Sequence, residues 1–415
     1  MPAATRTIGL GTIFLLLAGT LALGHALKAP CVAGDWTDGR QYTRLCYSDI
    51  IPLLGTEQLA SGRLPYLDPC DAAAPGECDE YPVLSMWTMR VAAWASGPDI
   101  ARFYTANALI LWIAAFVIAL LLYAMVGARA LYFVLAPTLA IYATTNWDLI
   151  AVAFATGATY AYVRRRDVWS GALLGLGAAA KLFPALLVIP FVAGRLRGRE
   201  SDRGVHLAWA AAGTWIAVNL PFALAAPPGW WEFFRFNAAR PADWDSLWFI
   251  ACHRATGDLG CSGTRAVNVA SALLFVASVA LVWWAKERRD PGFARWTLGF
   301  PILVLFLLTS KVYSPQYGLW LLPWFALALP NLGLFVAFQT VDVAVFVTRF
   351  SWFGTLGGHE GGLAGIDIGP FEAAVVVRAV ILLLCVVAWV RRRDPAPSAV
   401  PEPIPAPASL VEAPS

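Results

Sequence analysis

Residues 103–126 read FYTANALILWIAAFVIALLLYAMV, a run of 24 residues without a charged side chain. A helix of about 20 apolar residues crosses the hydrocarbon core of a bilayer, so this run predicts a transmembrane helix. The whole chain has the same character, because hydrophobic residues make up 59% of its 415 residues and charged residues only 14%. Soluble domains carry roughly one quarter charged residues. We therefore expect an all-α, polytopic integral membrane protein.

Similar apolar runs recur along the chain and predict twelve transmembrane helices. Their positions are 8–27, 103–126, 130–145, 147–163, 168–180, 182–194, 206–225, 264–285, 294–309, 316–329, 332–348 and 372–390. The two runs beside Lys181 are shorter than the roughly 20 residues that a span needs, so 168–194 either spans twice or forms a re-entrant or broken helix. The run 81–97 carries Arg90 in its middle, and we expect it to lie on the outer membrane surface.

Basic clusters predict which ends of the helices face the cytoplasm, since Lys and Arg are retained on that side. The clusters lie at Arg6 and at 164–166, 195–203, 286–289 and 391–393. With all five inside, both termini of this plasma-membrane protein are cytoplasmic, and two long loops, 28–102 and 226–263, are extracytoplasmic. We interpret residues 1–394 as one membrane domain. The Pro- and Ala-rich segment 395–415 has the composition of a disordered cytoplasmic tail.

Six of the seven cysteines fall in the two long outer loops, namely Cys31, Cys46, Cys70, Cys78, Cys252 and Cys261. An even number of thiols in an oxidising compartment favours disulfides. We expect Cys252 to pair with Cys261, whereas the four cysteines of the first loop allow three pairings. A zinc site is the alternative, but the spacings lack two close pairs of Cys or His, so we expect no bound metal.

Asp49 differs in position from the many other acids of the first outer loop. It lies in the sequence CYSDII, where an apolar run resumes directly after it and a neighbouring cysteine can hold the backbone. A carboxylate fixed near the membrane surface can take a proton from a hydroxyl nucleophile, which is the role of a general base. Alternatively, Ser48 and Asp49 cap the helix that follows.

Several charged residues are predicted to lie on the outer face near the ends of spans, namely Asp148, Lys181, Lys311, Arg235 and Arg240. Ionisable residues within a membrane or at its rim are candidates for function. Lys and Arg suit a phosphate group, Arg through bidentate hydrogen bonds. The alternative for Lys181 is a structural ion pair with Asp148. Because no long basic face of the kind that follows a phosphate backbone is present, we expect no nucleic-acid partner.

A series of short motifs resembles glycosyltransferase family 87, the alpha-mannosyltransferase-like and arabinofuranosyltransferase-like membrane proteins of actinobacteria, within the polyprenol-phosphate-dependent GT-C superfamily. The motifs are YSD at 47–49, GRLPY at 62–66, EYP at 80–82, NWDL at 146–149, KLFPA at 181–185, SPQY at 314–317 and WLLP at 320–323. Together they extend over most of the chain. Val83 departs from the family pattern, in which a second proline is usual, and an additional cysteine pair interrupts the first loop.

This resemblance implies a GT-C-like fold and an inverting sugar transfer in which a single acid of the first outer loop, Asp49, is the general base. It implies a polyprenyl-phosphate-linked donor, with mannose the first choice of sugar and arabinofuranose the second, and a glycolipid or cell-envelope glycan as acceptor. No cofactor or metal is expected. The substrate-binding candidates are Glu80, Tyr81, Asp148, Lys181, Arg240, Lys311, Gln316 and Tyr317.

Two other classes of protein are alternatives. A transporter or lipid flippase would use the charged positions and the interrupted helix around Lys181, although the sequence lacks the internal repeat that such proteins usually show. A non-catalytic envelope scaffold would also carry disulfide-bonded outer loops. The motifs favour the glycosyltransferase.

Overall fold

The structure, a computed structural model, describes residues 8–34, 36–70, 78–260, 263–359, 361–362 and 365–393. These residues form α-helices and short 3-10 segments, and no β-strand occurs among them. The α-helices are α1 Leu10–Val32, α2 Arg40–Thr43, α3 Ile50–Thr56, α4 Val83–Ser96, α5 Ile100–Val126, α6 Leu131–Val134, α7 Pro137–Tyr142, α8 Asp148–Val163, α9 Asp167–Ala180, α10 Val188–Arg197, α11 Ser201–Ala225, α12 Pro227–Ala239, α13 Leu247–Thr256, α14 Thr264–Arg289, α15 Gly299–Thr309, α16 Leu322–Leu327, α17 Leu332–Leu356 and α18 Ile368–Arg391.

Six helical segments are long and apolar enough to cross a bilayer, namely Leu10–Val32, Ile100–Val134, Ser201–Ala225, Thr264–Arg289, Leu332–Leu356 and Ile368–Arg391. Each overlaps a span that the sequence predicts, which confirms the all-α, polytopic membrane class. Two further apolar helices, Asp148–Val163 and Arg295–Thr309, are shorter. The count of twelve spans stays a prediction.

Two of the predicted spans are interrupted inside the bundle, and a third break separates two neighbouring spans. The run 130–145 divides into α6 and α7, with Pro137 opening the second helix. The run 316–329 begins as the 3-10 segment Pro315–Leu321. At Lys181, the backbone becomes extended, with φ −155° and ψ 139°, directly after α9 ends. Proline lacks the backbone donor that a continuous helix needs, so the two proline-containing breaks follow from the sequence.

The helix α9 packs between α8 and α11, and glycines on α9 permit the close approach to α11. A Cβ atom on Gly171 would lie 2.1 Å from the carbonyl oxygen of Leu207, and one on Gly175 would lie 2.5 Å from that of Ala211. Small residues four positions apart allow two helix backbones to pack closely in a membrane. This packing fixes the end of α9, and therefore the position of Lys181.

The first outer loop is held to the bundle by covalent and polar contacts. Disulfides join Cys31 to Cys46 and Cys70 to Cys78. Cys252 is also disulfide-bonded. Its predicted partner, Cys261, and the predicted tail 395–415 lie outside the described residues. The run 81–97 forms α4, which has 14 residues, too few to span the bilayer. Its location on the outer membrane surface stays a prediction.

Candidate active site

The segment that carries Asp49 is fixed on the turn between α7 and α8. Ser48 Oγ donates a hydrogen bond to the carbonyl oxygen of Thr144 at 2.6 Å, and the backbone N–H of Asp49 donates to that of Thr145 at 2.9 Å. The disulfide at Cys46 ties the same segment to the end of α1. The expectation that a cysteine would hold the backbone near Asp49 therefore agrees with this geometry.

The carboxylate of Asp49 accepts hydrogen bonds from two neutral donors. Tyr47 Oη lies 2.7 Å from Oδ1, and Asn146 Nδ2 lies 2.8 Å from Oδ2. Asp49 precedes α3, but its side chain makes no capping hydrogen bond, so the capping alternative does not describe it. Burial raises the pKa of Asp49 above its ordinary value, against the lowering effect of the two hydrogen bonds and of the positive charge on Lys181.

Lys181 points from the helix break toward the same asparagine. Its Nζ lies 3.2 Å from Asn146 Oδ1 and 3.2 Å from Asp148 Oδ2. The other carboxylate oxygen of Asp148 accepts a hydrogen bond from Trp320 Nε1 at 2.6 Å. Asp148 is fully buried and does not line the cavity described below. The ion pair with Lys181, which was the structural alternative, is therefore present. The role of Asp148 as a substrate contact stays a prediction.

Glu80 and Tyr81 approach Asp49 from the second half of the first loop. Tyr81 Oη accepts a hydrogen bond from Asn146 Nδ2 at 2.7 Å, so one amide group contacts both Tyr81 and Asp49. The ring of Tyr81 also lies 5.1 Å from Lys181 Nζ, a cation–π distance. Burial, followed by the negative charge of Asp49, raises the pKa of Glu80 to about 7.

Lys311 and Arg240 are linked through the backbone. Lys311 Nζ donates to the carbonyl oxygens of Ala238 at 3.1 Å and Arg240 at 2.6 Å. The guanidinium of Arg240 contacts Asp243 Oδ2 at 3.3 Å. Burial and the neighbouring charge of Arg240 lower the pKa of Lys311 to about 8. The lysine thus fixes the backbone that presents Arg240.

These groups surround one cavity of about 480 Å³. Of the predicted site residues, the structure places eight in its wall, namely Asp49, Glu80, Tyr81, Lys181, Arg240, Lys311, Gln316 and Tyr317. Aromatic rings complete the wall, among them Phe233, Phe236 and Trp320. Aromatic faces and a few convergent polar groups are typical of a ligand site. Two carboxylates, three cations and these rings suit a polar substrate with an anionic head.

Arg349 of α17 also lines the cavity, and the sequence interpretation did not include it. Its guanidinium forms ion pairs with Asp245 and, at 3.4 Å, with Asp243. Behind it, Arg378 lies 3.7 Å from Asp245 and 3.2 Å from Asp342. Ser314 Oγ donates to Asp243 at 3.0 Å. We call these five charged residues the Arg349 network. Asp342 and Arg378 lie inside predicted spans, and charges in apolar runs were the signal that could have found them.

The sequence and the structure were compared with known proteins. Residues 80–315 match the family described as glycosyltransferase family 87. No curated protein matches the sequence. Among solved structures, ArnT from Cupriavidus metallidurans bound to undecaprenyl phosphate is similar at a TM-score of 0.44, with 16% sequence identity, over 92% of this chain and 77% of that one. ArnT from the same organism in the apo state gives a TM-score of 0.46 and 16% identity, over 92% and 76% of the two chains.

Proposed function

Since the chain belongs to glycosyltransferase family 87, we propose that it transfers a sugar from a polyprenyl-phosphate-linked donor to a glycolipid or cell-envelope glycan, with Asp49 as the general base. The observation that carries this proposal is the cavity in which Asp49 faces Glu80, Lys181 and Arg240. A sugar phosphate is a ligand that such a combination of carboxylates, cations and aromatic rings can bind.

The contacts of Asp49 support its role as the base. A general base must be ionised at the working pH and basic enough to accept a proton. Neutral donors hold the carboxylate in place, and burial raises its pKa. In the proposed step, the acceptor hydroxyl loses its proton to Asp49 while its oxygen attacks the anomeric carbon. The bond from that carbon to the phosphate oxygen breaks, and the polyprenyl phosphate leaves with the bonding electrons.

The reaction also requires that the negative charge on the leaving phosphate be stabilised. Lys181 and Arg240 both line the cavity, so they are the groups we assign to the phosphate. A cation near the departing oxygen stabilises the charge that develops in the transition state. Because two side-chain cations are available for a monophosphate, we propose a metal-independent reaction. Attack opposite to the departing phosphate inverts the anomeric carbon.

We assign the cavity to the extracytoplasmic face and both termini to the cytoplasm. The basic clusters support this orientation, since α8 begins at Asp148 beside Lys181 and ends at Val163 next to three arginines. The disulfides of the first loop support it as well, because they persist in oxidising compartments. We propose residues 1–394 as a single catalytic domain, with mannose as the donor sugar and arabinofuranose as the second candidate.

The test is sugar transfer by the purified full-length protein in liposomes, with polyprenyl-phosphate-mannose as donor and an extract of cell-envelope glycolipids as acceptor. Asp49→Asn should lower the rate about 10²- to 10⁴-fold, the usual contribution of a general base. The matched control is Asp38→Asn, which changes an exposed acid of the same loop that pairs with Arg40. Donor binding and thermal unfolding are measured for each protein.

An Asp49→Asn variant with full activity would contradict the assignment of the base. If the wild-type protein is inactive with mannose but active with polyprenyl-phosphate-arabinofuranose, the sugar is wrong and the reaction class stands. If neither donor binds, the polyprenyl-phosphate donor is wrong.

A further inference from the structure

A second cavity, of about 610 Å³, lies between α5, α8 and α9 and is also lined by Leu84 and Thr88 of α4. Its walls include apolar side chains such as Val117, Phe154 and Leu173. Gly157 leaves room on the α8 side, since a Cβ atom there would lie 3.4 Å from Leu173 and nothing closer is present. Ile113, which also lines it, is 66% exposed, so the cavity is open on the outside of the bundle. We call it the α5–α8–α9 groove.

One end of the α5–α8–α9 groove is basic. Arg166 and Trp169 line this end, and both also line an adjoining cavity of about 410 Å³. Arg165, Arg203 and His206 belong to that adjoining cavity. An apolar groove and a basic pocket therefore share two residues and form one continuous surface.

Several basic residues at this end of the groove already form ion pairs with acidic residues of the protein. Arg203 contacts Asp167 at 2.6 Å, and Arg165 forms an ion pair with Glu200. Arg195 contacts Asp167 at 2.7 Å.

Arg166 is exposed and forms no ion pair within the part of the chain that the structure describes. Beside it, Trp169 is 67% exposed, and tryptophan is enriched where a membrane meets water. One arginine is thus left to bind an external anion at the level of the lipid headgroups.

The length of the groove fits one lipid chain. From Ile150 to Ala161, the α8 residues that line it span about 16 Å at the rise of a helix, roughly half of a hydrocarbon core. The groove is separate from the cavity that holds Asp49. The helix α8 starts at Asp148, beside that cavity, and its arginine-bearing end is the opposite one.

We propose that the α5–α8–α9 groove binds one anionic phospholipid, with an acyl chain along α8 and the phosphate at Arg166. The occupant is a lipid because the groove is apolar, open to the outside of the bundle and as long as one leaflet. The lipid is anionic because Arg166, at the end of the groove that adjoins the basic pocket, forms no ion pair among the described residues. This site shares no lining residue with the cavity that holds Asp49.

Native mass spectrometry of the purified full-length protein in detergent tests the headgroup contact. Dioleoyl phosphatidylglycerol is the probe, and dioleoyl phosphatidylcholine is the neutral comparison. Arg166→Gln should weaken phosphatidylglycerol binding about fivefold, the usual effect of one basic residue near a lipid surface. The matched control is Arg129→Gln, which removes the same charge from an exposed arginine that follows α5 and does not line the groove. It should leave binding unchanged.

A second pair of variants tests the apolar part. Ala114→Phe fills the groove from α5 and should weaken binding of the dioleoyl lipid, whereas binding of dihexanoyl phosphatidylglycerol, whose chains are too short to fill the groove, should change little. Leu120→Phe alters an exposed residue of α5 outside the groove and is the control. Thermal unfolding verifies that every variant is folded. Equal losses in Arg166→Gln and Arg129→Gln, unaltered dioleoyl binding in Ala114→Phe, or equal affinity for phosphatidylcholine would each overturn the proposal.

Discussion

Two groups of carboxylates near Arg349 have different contacts. In the Arg349 network, Asp245 is paired with Arg349 and lies within 3.7 Å of Arg378. At the cavity, Asp49 accepts hydrogen bonds from Tyr47 and Asn146 and forms no ion pair among the described residues. Buried charges that are paired hold a fold together, whereas a carboxylate held by neutral donors keeps the basicity that proton transfer needs.

The pKa values separate Asp243 from Asp49 but not the two groups as a whole, since burial also raises the pKa of Asp245 against the lowering effect of Arg349 and Arg378. Burial alone would raise the pKa of Asp243, but Arg349 and Arg240, together with hydrogen bonds, lower it below its ordinary value. Burial raises the pKa of Asp49, because the hydrogen bonds and the charge of Lys181 compensate only partly. The two carboxylates are therefore suited to different tasks, the first to an ion pair and the second to a proton transfer.

The largest effect on stability is expected from Asp245→Asn. This change leaves Arg349 and Arg378 without one counter-charge in a buried place, and removing one partner of a buried pair costs about 3–5 kcal/mol. Asp49→Asn removes no ion pair and should cost about 1 kcal/mol or less. Denaturation of both variants in the same detergent measures the difference in free energy of unfolding. Similar losses in the two would show that the distinction between the two groups of carboxylates is wrong.

The second largest effect on stability is expected from removal of the disulfide between Cys31 and Cys46. It closes a loop of 15 residues that ends just before Asp49, and a cross-link of this length stabilises a fold by about 3 kcal/mol. The double variant Cys31→Ser and Cys46→Ser should lose that stability, and its transfer rate should fall because Asp49 is less well positioned. Cys385→Ala, which removes the buried free thiol, is the comparison. If only stability falls and the rate is unchanged, the disulfide does not position the base.

The sequence predicted the helical architecture and eight residues of the cavity wall. Long apolar runs specify the helices, and a first loop dense in acids, aromatics and cysteines indicated where Asp49 would lie. Asp148 was predicted as a substrate contact because it is an ionisable residue at the rim of two spans, yet its side chain is buried behind Lys181 and Trp320, which line the cavity. Its position on the chain could not reveal that burial.

The sequence did not predict the Arg349 network, because its contacts also depend on how the chain folds. Arg349 and Asp243 are 106 residues apart, so their contact depends on how α17 packs against the second outer loop. Local hydropathy does not contain that information. It showed only that 332–348 is apolar, and Arg349 follows immediately after that run. The charges of Asp342 and Arg378 within apolar runs were visible, but their partners were not.

Lys181→Gln should weaken the affinity for the substrate, and we expect this effect to be smaller than the two stability losses above. A hydrogen bond to a charged group contributes about 1.5–3 kcal/mol, so loss of the ammonium should raise the KM for the polyprenyl-phosphate donor about tenfold or more. Arg235→Gln is the control, because Arg235 is an exposed basic residue of the second outer loop that pairs with Glu232 and does not line the cavity. Initial rates at varied donor concentration give KM for both. An unchanged KM in Lys181→Gln would restrict this lysine to its ion pair with Asp148.

Glu80→Gln should have the smallest effect, and it tests whether the two cavity carboxylates influence each other. Transfer requires ionised Asp49, so the rate falls as the pH falls through the pKa of that group. The negative charge of Glu80 opposes ionisation of Asp49, as that of Asp49 opposes ionisation of Glu80. Removing it should lower the pKa of Asp49 and move the acidic limb of the pH–rate profile to lower pH, by about one unit or less.

The pH dependence of the stability of Glu80→Gln is the second measurement. The pKa of Glu80 is raised from 4.5 to about 7 in the folded protein, so the folded state binds this proton more tightly than the unfolded chain does. The stabilisation from Glu80 is therefore complete below pH 4.5 and is lost as the pH rises toward 7. Glu80→Gln should remove this decline, which unfolding measured at several pH values detects. A lower rate with an unshifted acidic limb would mean that Glu80 acts on the substrate rather than through Asp49. An unaltered stability profile would contradict the raised pKa of Glu80.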